Sequence, residues 1–204
     1  MKSLILSLTL LLCFSHSAMA DSEKKIGPFP AVGTPAEKSD IEQMLFYQAT
    51  RTPEQCASAE SEANASLEAF FGGSHGLLNA AELEEAHAQL RWVTVKAGAK
   101  ILYYKTKYHR ARPYITHPEI KPCIDLENSK SYPSGHATIA RVYARLLGIM
   151  YPDRKEQFLI RADEVALNRV LGGVHHPSDV EAGKKLGDEI VDDHLNDLES
   201  LVVE

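Results

Sequence analysis

The sequence is short of several things that would have placed it in a class at once. Its one uncharged apolar run, Leu4 to Phe14, is shorter than the ~20 residues a membrane-spanning helix needs. No later stretch approaches that length without charges, so stable membrane insertion is not expected. An excess of basic residues is missing too. Its 22 Lys and Arg face 28 Asp and Glu, a formal charge of −6, which speaks against a general nucleic-acid binder with its basic face. Cysteine is scarce, at Cys13, Cys56 and Cys123 only. No alternating apolar pattern marks a strand, and there is neither an internal repeat nor a low-complexity tract.

What is present begins with a leader. Lys2, the apolar run and the small residues Ala18-Met19-Ala20 have the layout of a secretory signal peptide over residues 1–20, cut after Ala20. Its loss removes Lys2 and Cys13, taking the charge from −6 to −7. In an oxidising compartment, Cys56 and Cys123 are then either one disulfide or two separate buried thiols. The remaining chain is long enough for one domain with its own core.

Residues 21–38, rich in Pro, Gly and Lys, read as an irregular arm, and residues 39–204 as a single helical domain. Ser39-Asp40-Ile41-Glu42 is a capping box. Thr52-Pro53-Glu54-Gln55 is another, with Pro at the first helical position. Its helix carries Cys56, Ala59, Ala63, Leu67 and Phe70 as far as Gly72-Gly73. Asn79-Ala80-Ala81-Glu82 opens a longer helix striped by Leu83, Ala86, Leu90, Val93, Ala97, Ile101 and Tyr104. Pro113 stops it near Arg112. Trp92 on this helix reads as packing, and Tyr103, Tyr104, Tyr108 and Tyr132 as core or pocket wall. Residues 113–134 hold Pro113, Pro118, Pro122 and Pro133, a long ordered loop of the kind that is usually functional. Further helices run over 135–150, 153–171 and from Pro177 toward Leu198. The expected fold is an all-α, single-domain helical bundle with its active site at converging helix ends.

Three clusters carry chemistry, each at a helix end beside a Pro- or Gly-rich turn. They are Lys105 to Pro113, then Pro133-Ser134-Gly135-His136, then Arg169 to Asp179. Arg169 continues the apolar stripe Phe158, Ala162, Val165, and a buried arginine needs an anion. Its ordinary partner would be a core carboxylate. Lys105 follows Ile101 and Tyr104 on the packed face of its helix, and Arg112 adds a third cation in an otherwise acidic protein. Gly135 lets the backbone approach a ligand, at a helix N-terminus whose free donors attract anions. The blander reading is a Ser134 N-cap with an incidental histidine. Asp179, in the first turn after Pro177, can orient His175 by accepting a hydrogen bond from its ring. A metal site on His175, His176 and Asp179 is disfavoured, because three cations would repel the ion. His75, His109, His117, His176 and His194 read as surface or supporting residues.

Lys-x6-Arg-Pro, Pro-Ser-Gly-His and Arg-x5-His-x3-Asp, in that order, resemble the three-part signature of the type 2 phosphatidic acid phosphatase superfamily. Without membrane spans, the chain is most similar to its bacterial class A non-specific acid phosphatases, over roughly residues 39–195. The resemblance implies a metal-independent periplasmic acid phosphatase needing no cofactor and acting on small phosphomonoesters. It also suggests a homo-oligomer. Lys105, Arg112, Ser134, Gly135 and Arg169 would bind phosphate. His175 would be the nucleophile that forms a phosphohistidine, Asp179 would orient it, and His136 would protonate the leaving alcohol. Lipid, isoprenoid or diphosphate substrates are the alternative. The related vanadium haloperoxidases make a vanadate-dependent peroxidase a more distant one. One departure stands out: Asn168 replaces the Ser common before the third-motif Arg. An Asn that still donates to a phosphate oxygen would tune the site rather than disable it.

Overall fold

The computed structural model describes residues 26–202; the expected signal peptide lies outside the described residues. The helices are α1 (Pro35–Thr50), α2 (Pro53–Ser61), α3 (Leu67–Phe71), α4 (Ala80–Tyr108), α5 (Pro113–Thr116), α6 (Gly135–Met150), α7 (Lys155–Leu171) and α8 (Pro177–Val202), with short 3-10 turns at Gly73–His75 and Pro152–Arg154. Among the described residues there is no strand, so the fold is all-α as expected. No described helix is long and apolar enough to cross a membrane.

The apolar helix α6 sits at the centre, packed most extensively against α7 and α8 and flanked by α4. It buries residues on nearly every side, from Ala137 to Leu147. Two α8 glycines permit this closeness. A Cβ at Gly183 would lie 2.6 Å from the Ser134 carbonyl oxygen, and one at Gly187 would lie 2.8 Å from that of Thr138. The start of α6, which carries the second motif, is thereby pressed against the helix that carries Asp179.

Several boundaries depart from the sequence reading. The helix expected to open at Ser39 begins at Pro35, so residues 35–38 are helical rather than irregular. Thr34 caps it by accepting from the Glu37 N–H at 3.3 Å, and Pro35 fits the first helical position. Asp40 consequently lies inside α1, buried at 5 % exposure. The helix expected from Pro53 to Gly72 breaks after Ser61. Ser66 restarts it as α3 by accepting from the Ala69 N–H at 3.1 Å, a competition for the backbone that Ser and Asn favour over helix continuation. The long helix α4 stops at Tyr108 rather than near Arg112, because His109 takes the left-handed conformation with φ of 51°. Trp92 does not pack: it is 64 % exposed. The buried stripe Ala86, Leu90, Val93, Ala97 leaves it on the outer face. Cys56 and Cys123 form a disulfide, tying α2 to the segment between α5 and α6.

Candidate active site

The three clusters meet at one rim of the bundle. Lys105 ends the buried face of α4. The left-handed turn at His109 then sends the chain out extended, so Arg110 and Arg112, two residues apart, both point inward and are buried. Ser134, Gly135 and His136 form the mouth of α6. Arg169 is near the end of α7, and Gly173, with φ of 83°, reverses the chain so that His175 comes back beside it. The turn is closed by the His175 N–H donating to the Arg169 carbonyl at 3.2 Å. The Ser134 N–H donates to the Asp179 carbonyl at 2.9 Å, joining the second motif to the third.

Arg112 is the hub. Its Nη1 donates to His175 Nε2 at 2.9 Å and to the Val174 carbonyl at 2.8 Å. Its Nη2 donates to Glu127 Oε2 at 2.6 Å and to Ser129 Oγ at 2.9 Å, and its Nε to the Ser129 carbonyl at 2.8 Å. A guanidinium only donates, so His175 Nε2 is the acceptor and carries the lone pair. The ring proton is then on Nδ1, which faces Asp179 Oδ2 at 3.3 Å. Burial first, and then Arg112, pushes the His175 imidazolium well below its ordinary range, leaving the ring neutral.

Asp179 is fully buried and accepts from several sides. Arg110 Nη1 reaches its Oδ1 at 2.7 Å, the His176 N–H reaches Oδ2 at 2.9 Å, and Ser131 Oγ also donates to Oδ2. Burial alone would raise its pKa, but hydrogen bonds from His175 and His176 and the charge of Arg110 hold it well below the usual carboxylate range. Arg110 is anchored in turn by Ser178 Oγ at 2.7 Å and by Asp40 at 3.3 Å.

Arg169, 2 % exposed, donates from Nη2 to Glu127 Oε1 at 2.8 Å and from Nη1 to the Ala59 carbonyl at 3.4 Å. Its Nε is buried with no hydrogen-bond partner among the described residues. Lys105 donates to the Lys130 carbonyl. Burial, then Arg112, pushes its ammonium down to about 8. His136 donates from Nε2 to the Glu62 and Ala63 carbonyls at 3.1 and 3.2 Å. Its Nδ1 faces the cradle, 3.9 Å from Glu127 Oε1. Burial, then Arg169, pushes its imidazolium down to about 4. Ser134 Oγ accepts weakly from the Ala137 N–H at 3.4 Å.

All eight residues singled out in the sequence therefore lie at one rim. Asn168 does not join them. Its amide donates to both Glu62 carboxylate oxygens, at 3.0 and 3.1 Å, and Glu62 also pairs with buried Arg161. Asn168 serves the interior in this arrangement: an unpaired Arg161 and Glu62 would be costly there, and Asn168 helps satisfy them. His75 joins the same group through Arg161 at 2.9 Å, and His117 pairs with Glu37 at 2.7 Å.

Residues the sequence reading passed over are Glu127, Ser129, Arg110, Ser131 and the carbonyls of Glu62 and Ala63. The Pro-rich character of residues 113–134 was the only signal for the first two. Arg110 was visible as a basic residue inside the first cluster but had no assignable partner. A backbone carbonyl has no sequence signature.

The family model described as PAP2 superfamily matches residues 90–187. A non-specific acid phosphatase of Salmonella typhimurium is 28 % identical over 186 residues, covering 85 % of this chain and 73 % of the relative. A decaprenylphosphoryl-5-phosphoribose phosphatase of Mycobacterium tuberculosis is 34 % identical over 105 residues, covering 47 % of this chain and 55 % of the relative. The crystal structure of a transmembrane PAP2-type phosphatidylglycerolphosphate phosphatase from Bacillus subtilis superposes with a TM-score of 0.60 at 20 % identity, over 95 % of this chain and 96 % of that one, a likeness of fold. All three motifs fall inside the matched segment, and residues 90–187 of this chain are a PAP2 superfamily domain.

Proposed function

We propose that the chain is an exported, periplasmic acid phosphatase that hydrolyses soluble phosphomonoesters through a phosphohistidine on His175, without a metal. The observation that carries this reading is the His175 ring held between Arg112 and Asp179, with its lone pair on Nε2 in a cradle of three cations.

Lys105, Arg112 and Arg169 bind the phosphate oxygens, helped by the α6 N-terminus at Ser134 and Gly135. The unpartnered Arg169 Nε is a donor that a bound anion can satisfy. On binding, Arg112 transfers its Nη1 hydrogen bond from His175 to a phosphate oxygen, which frees Nε2. Nε2 then attacks phosphorus, the ester P–O bond breaks, and His136 Nδ1 delivers its proton to the departing alkoxide. Asp179 stabilises the charge that the phosphorylated ring acquires. Water follows from the opposite side: neutral His136 takes its proton, the new P–O bond forms, the P–N bond breaks, and phosphate leaves. Phosphoryl transfer draws mainly on positioning and charge neutralisation, which three cations and a helix N-terminus can supply.

The test is release of p-nitrophenol from p-nitrophenyl phosphate at mildly acidic pH with a chelator present. Wild type turns over, His175→Ala does not, and an alkaline denaturing quench during turnover traps labelled phosphate on protein in an acid-labile, base-stable form. Loss of wild-type activity in chelator would defeat the metal-free scheme. The relative from Mycobacterium tuberculosis favours a second reading, in which the same site acts on lipid-linked phosphates. A prenyl phosphate in detergent micelles, hydrolysed faster than p-nitrophenyl phosphate, would select it.

A further inference from the structure

Each of the three cations assigned to phosphate already has a partner in one stretch of chain. Glu127 bridges Arg112 at 2.6 Å and Arg169 at 2.8 Å. Two residues on, Ser129 takes two further Arg112 donors, one through its hydroxyl and one through its carbonyl. The Lys130 carbonyl accepts from Lys105. Three residues within the stretch 127–130 thus engage all three cations.

Arg112 makes the conflict quantitative. A guanidinium has five N–H donors. Here they go to the Ser129 carbonyl, Ser129 Oγ, Glu127 Oε2, the Val174 carbonyl and His175 Nε2. None is left for a ligand. The bond to His175 is the one that proposed catalysis exchanges for a single phosphate oxygen. The Arg112 Nη2 donor and the Arg169 Nη2 donor that now meet Glu127 turn to a bound phosphate when the Glu127 carboxylate leaves. Its own geometry is that of an anion in the site: one oxygen lies on each guanidinium, and Oε1 is 3.9 Å from His136 Nδ1. Burial alone would raise the Glu127 pKa, but the charges around it, those of Arg112 and Arg169 among them, hold it far below the carboxylate range. It stays charged, and competes as an anion, at any pH at which the protein works.

We propose that Glu127 is a tethered competitor for the phosphate cradle, displaced by each incoming phosphoryl group and returning as product phosphate leaves. The inference rests on the proposed assignment of Lys105, Arg112 and Arg169 to phosphate. Glu127 belongs to the segment between α5 and α6, which the Cys56–Cys123 bond fixes upstream and buried Ser131 and Tyr132 fix downstream. The carboxylate therefore remains near the cradle when displaced. An occupied cradle weakens apparent affinity by the fraction of molecules in which it is open. Charge-assisted hydrogen bonds to two arginines are strong enough to hold that fraction at about one tenth or less.

The experiment measures inorganic phosphate binding, by calorimetry and by competitive inhibition of p-nitrophenyl phosphate hydrolysis, in wild type, Glu127→Gln and Glu127→Asp. The Gln variant retains shape and loses charge. The Asp variant retains a charge to partner the arginines during folding, but one methylene less reach prevents it from bridging both. Both should bind phosphate more tightly than wild type, Glu127→Gln by about ten-fold, with KM for substrate falling in step. Unchanged or weaker phosphate binding in both variants, with wild type binding and turning over, overturns the competitor alone. A wild type that neither binds phosphate nor hydrolyses the ester overturns the proposed function and this inference with it.

Discussion

His136 Nε2 donates to the Glu62 carbonyl at 3.1 Å. That bond fixes the tautomer of the neutral ring, with the proton on Nε2 and the lone pair on Nδ1 toward the cradle. When the ring charges, the added proton is therefore on the face where the leaving oxygen departs. The orienting group lies in the break between α2 and α3, so an interruption of one helix sets the acid of another.

His136→Ala should accordingly lose rate in proportion to the basicity of the leaving group. General acid catalysis is worth roughly 10²–10⁴-fold. The loss should be largest for an alkyl phosphate and small for p-nitrophenyl phosphate, whose leaving group needs little help. Equal losses for the two esters, measured as kcat, would remove His136 from the acid role.

The pH dependence follows from two depressed cations. His136 must carry a proton to act, and burial and Arg169 push it down to about 4 in the unliganded site. The free enzyme governs kcat/KM, so kcat/KM should fall as pH rises above about 4. A bound phosphate dianion favours the imidazolium, so kcat should fall at a distinctly higher pH. Lys105, pushed down to about 8, loses its charge above that value, and KM should rise there. Rate profiles of both parameters check this, and a kcat/KM that climbs steadily to pH ~9 would contradict it. Stability moves in the opposite sense. Between its folded pKa near 4 and an unfolded value near 6.5, His136 binds more protons in the unfolded chain. Its contribution is complete above that window and is lost as pH falls through it, so denaturant midpoints should drop on acidification.

Asn168 separates stability from binding. Its two hydrogen bonds go to Glu62, buried beside Arg161. Asn168→Ala should cost about 2 kcal/mol in denaturant unfolding while leaving KM and phosphate inhibition near wild type. A large rise in KM at unchanged stability would place Asn168 in the cradle after all.

The disulfide joins residues 67 apart in sequence. Replacing Cys56 and Cys123 together by Ser should cost about 3–4 kcal/mol, read as a lower denaturant midpoint. Because the bond anchors α2, and the break that follows α2 positions His136, the double variant should also lose more kcat on alkyl than on nitrophenyl phosphates. A loss of stability with no such leaving-group bias would confine the bond to a structural role.

The helical bundle was legible because its signals are local. Thr52-Pro53-Glu54-Gln55 and Asn79-Ala80-Ala81-Glu82 made their capping boxes as written, and the stripe ending at Tyr104 buried itself and then Lys105. Where two local signals competed, the reading failed. Thr34-Pro35 outcompeted Ser39 as a helix start, and Ser66 ended the continuity expected from Cys56 to Phe70. Trp92 misled because a large apolar side chain predicts burial only on average.

The sequence by itself determined which side chains could handle an anion: three cations, two histidines and an aspartate, each at a helix end that a Pro, Gly or capping residue enforces. Those choices depend on neighbours within a few positions. Only the tertiary structure decided what these groups face. Arg110 found Asp179 and Asp40, Asn168 turned to Glu62, and Glu127 closed over Arg112 and Arg169. Such pairings join residues tens of positions apart, and charges are matched by distance in space and by the cost of leaving them buried alone, neither of which is written into the order of the chain.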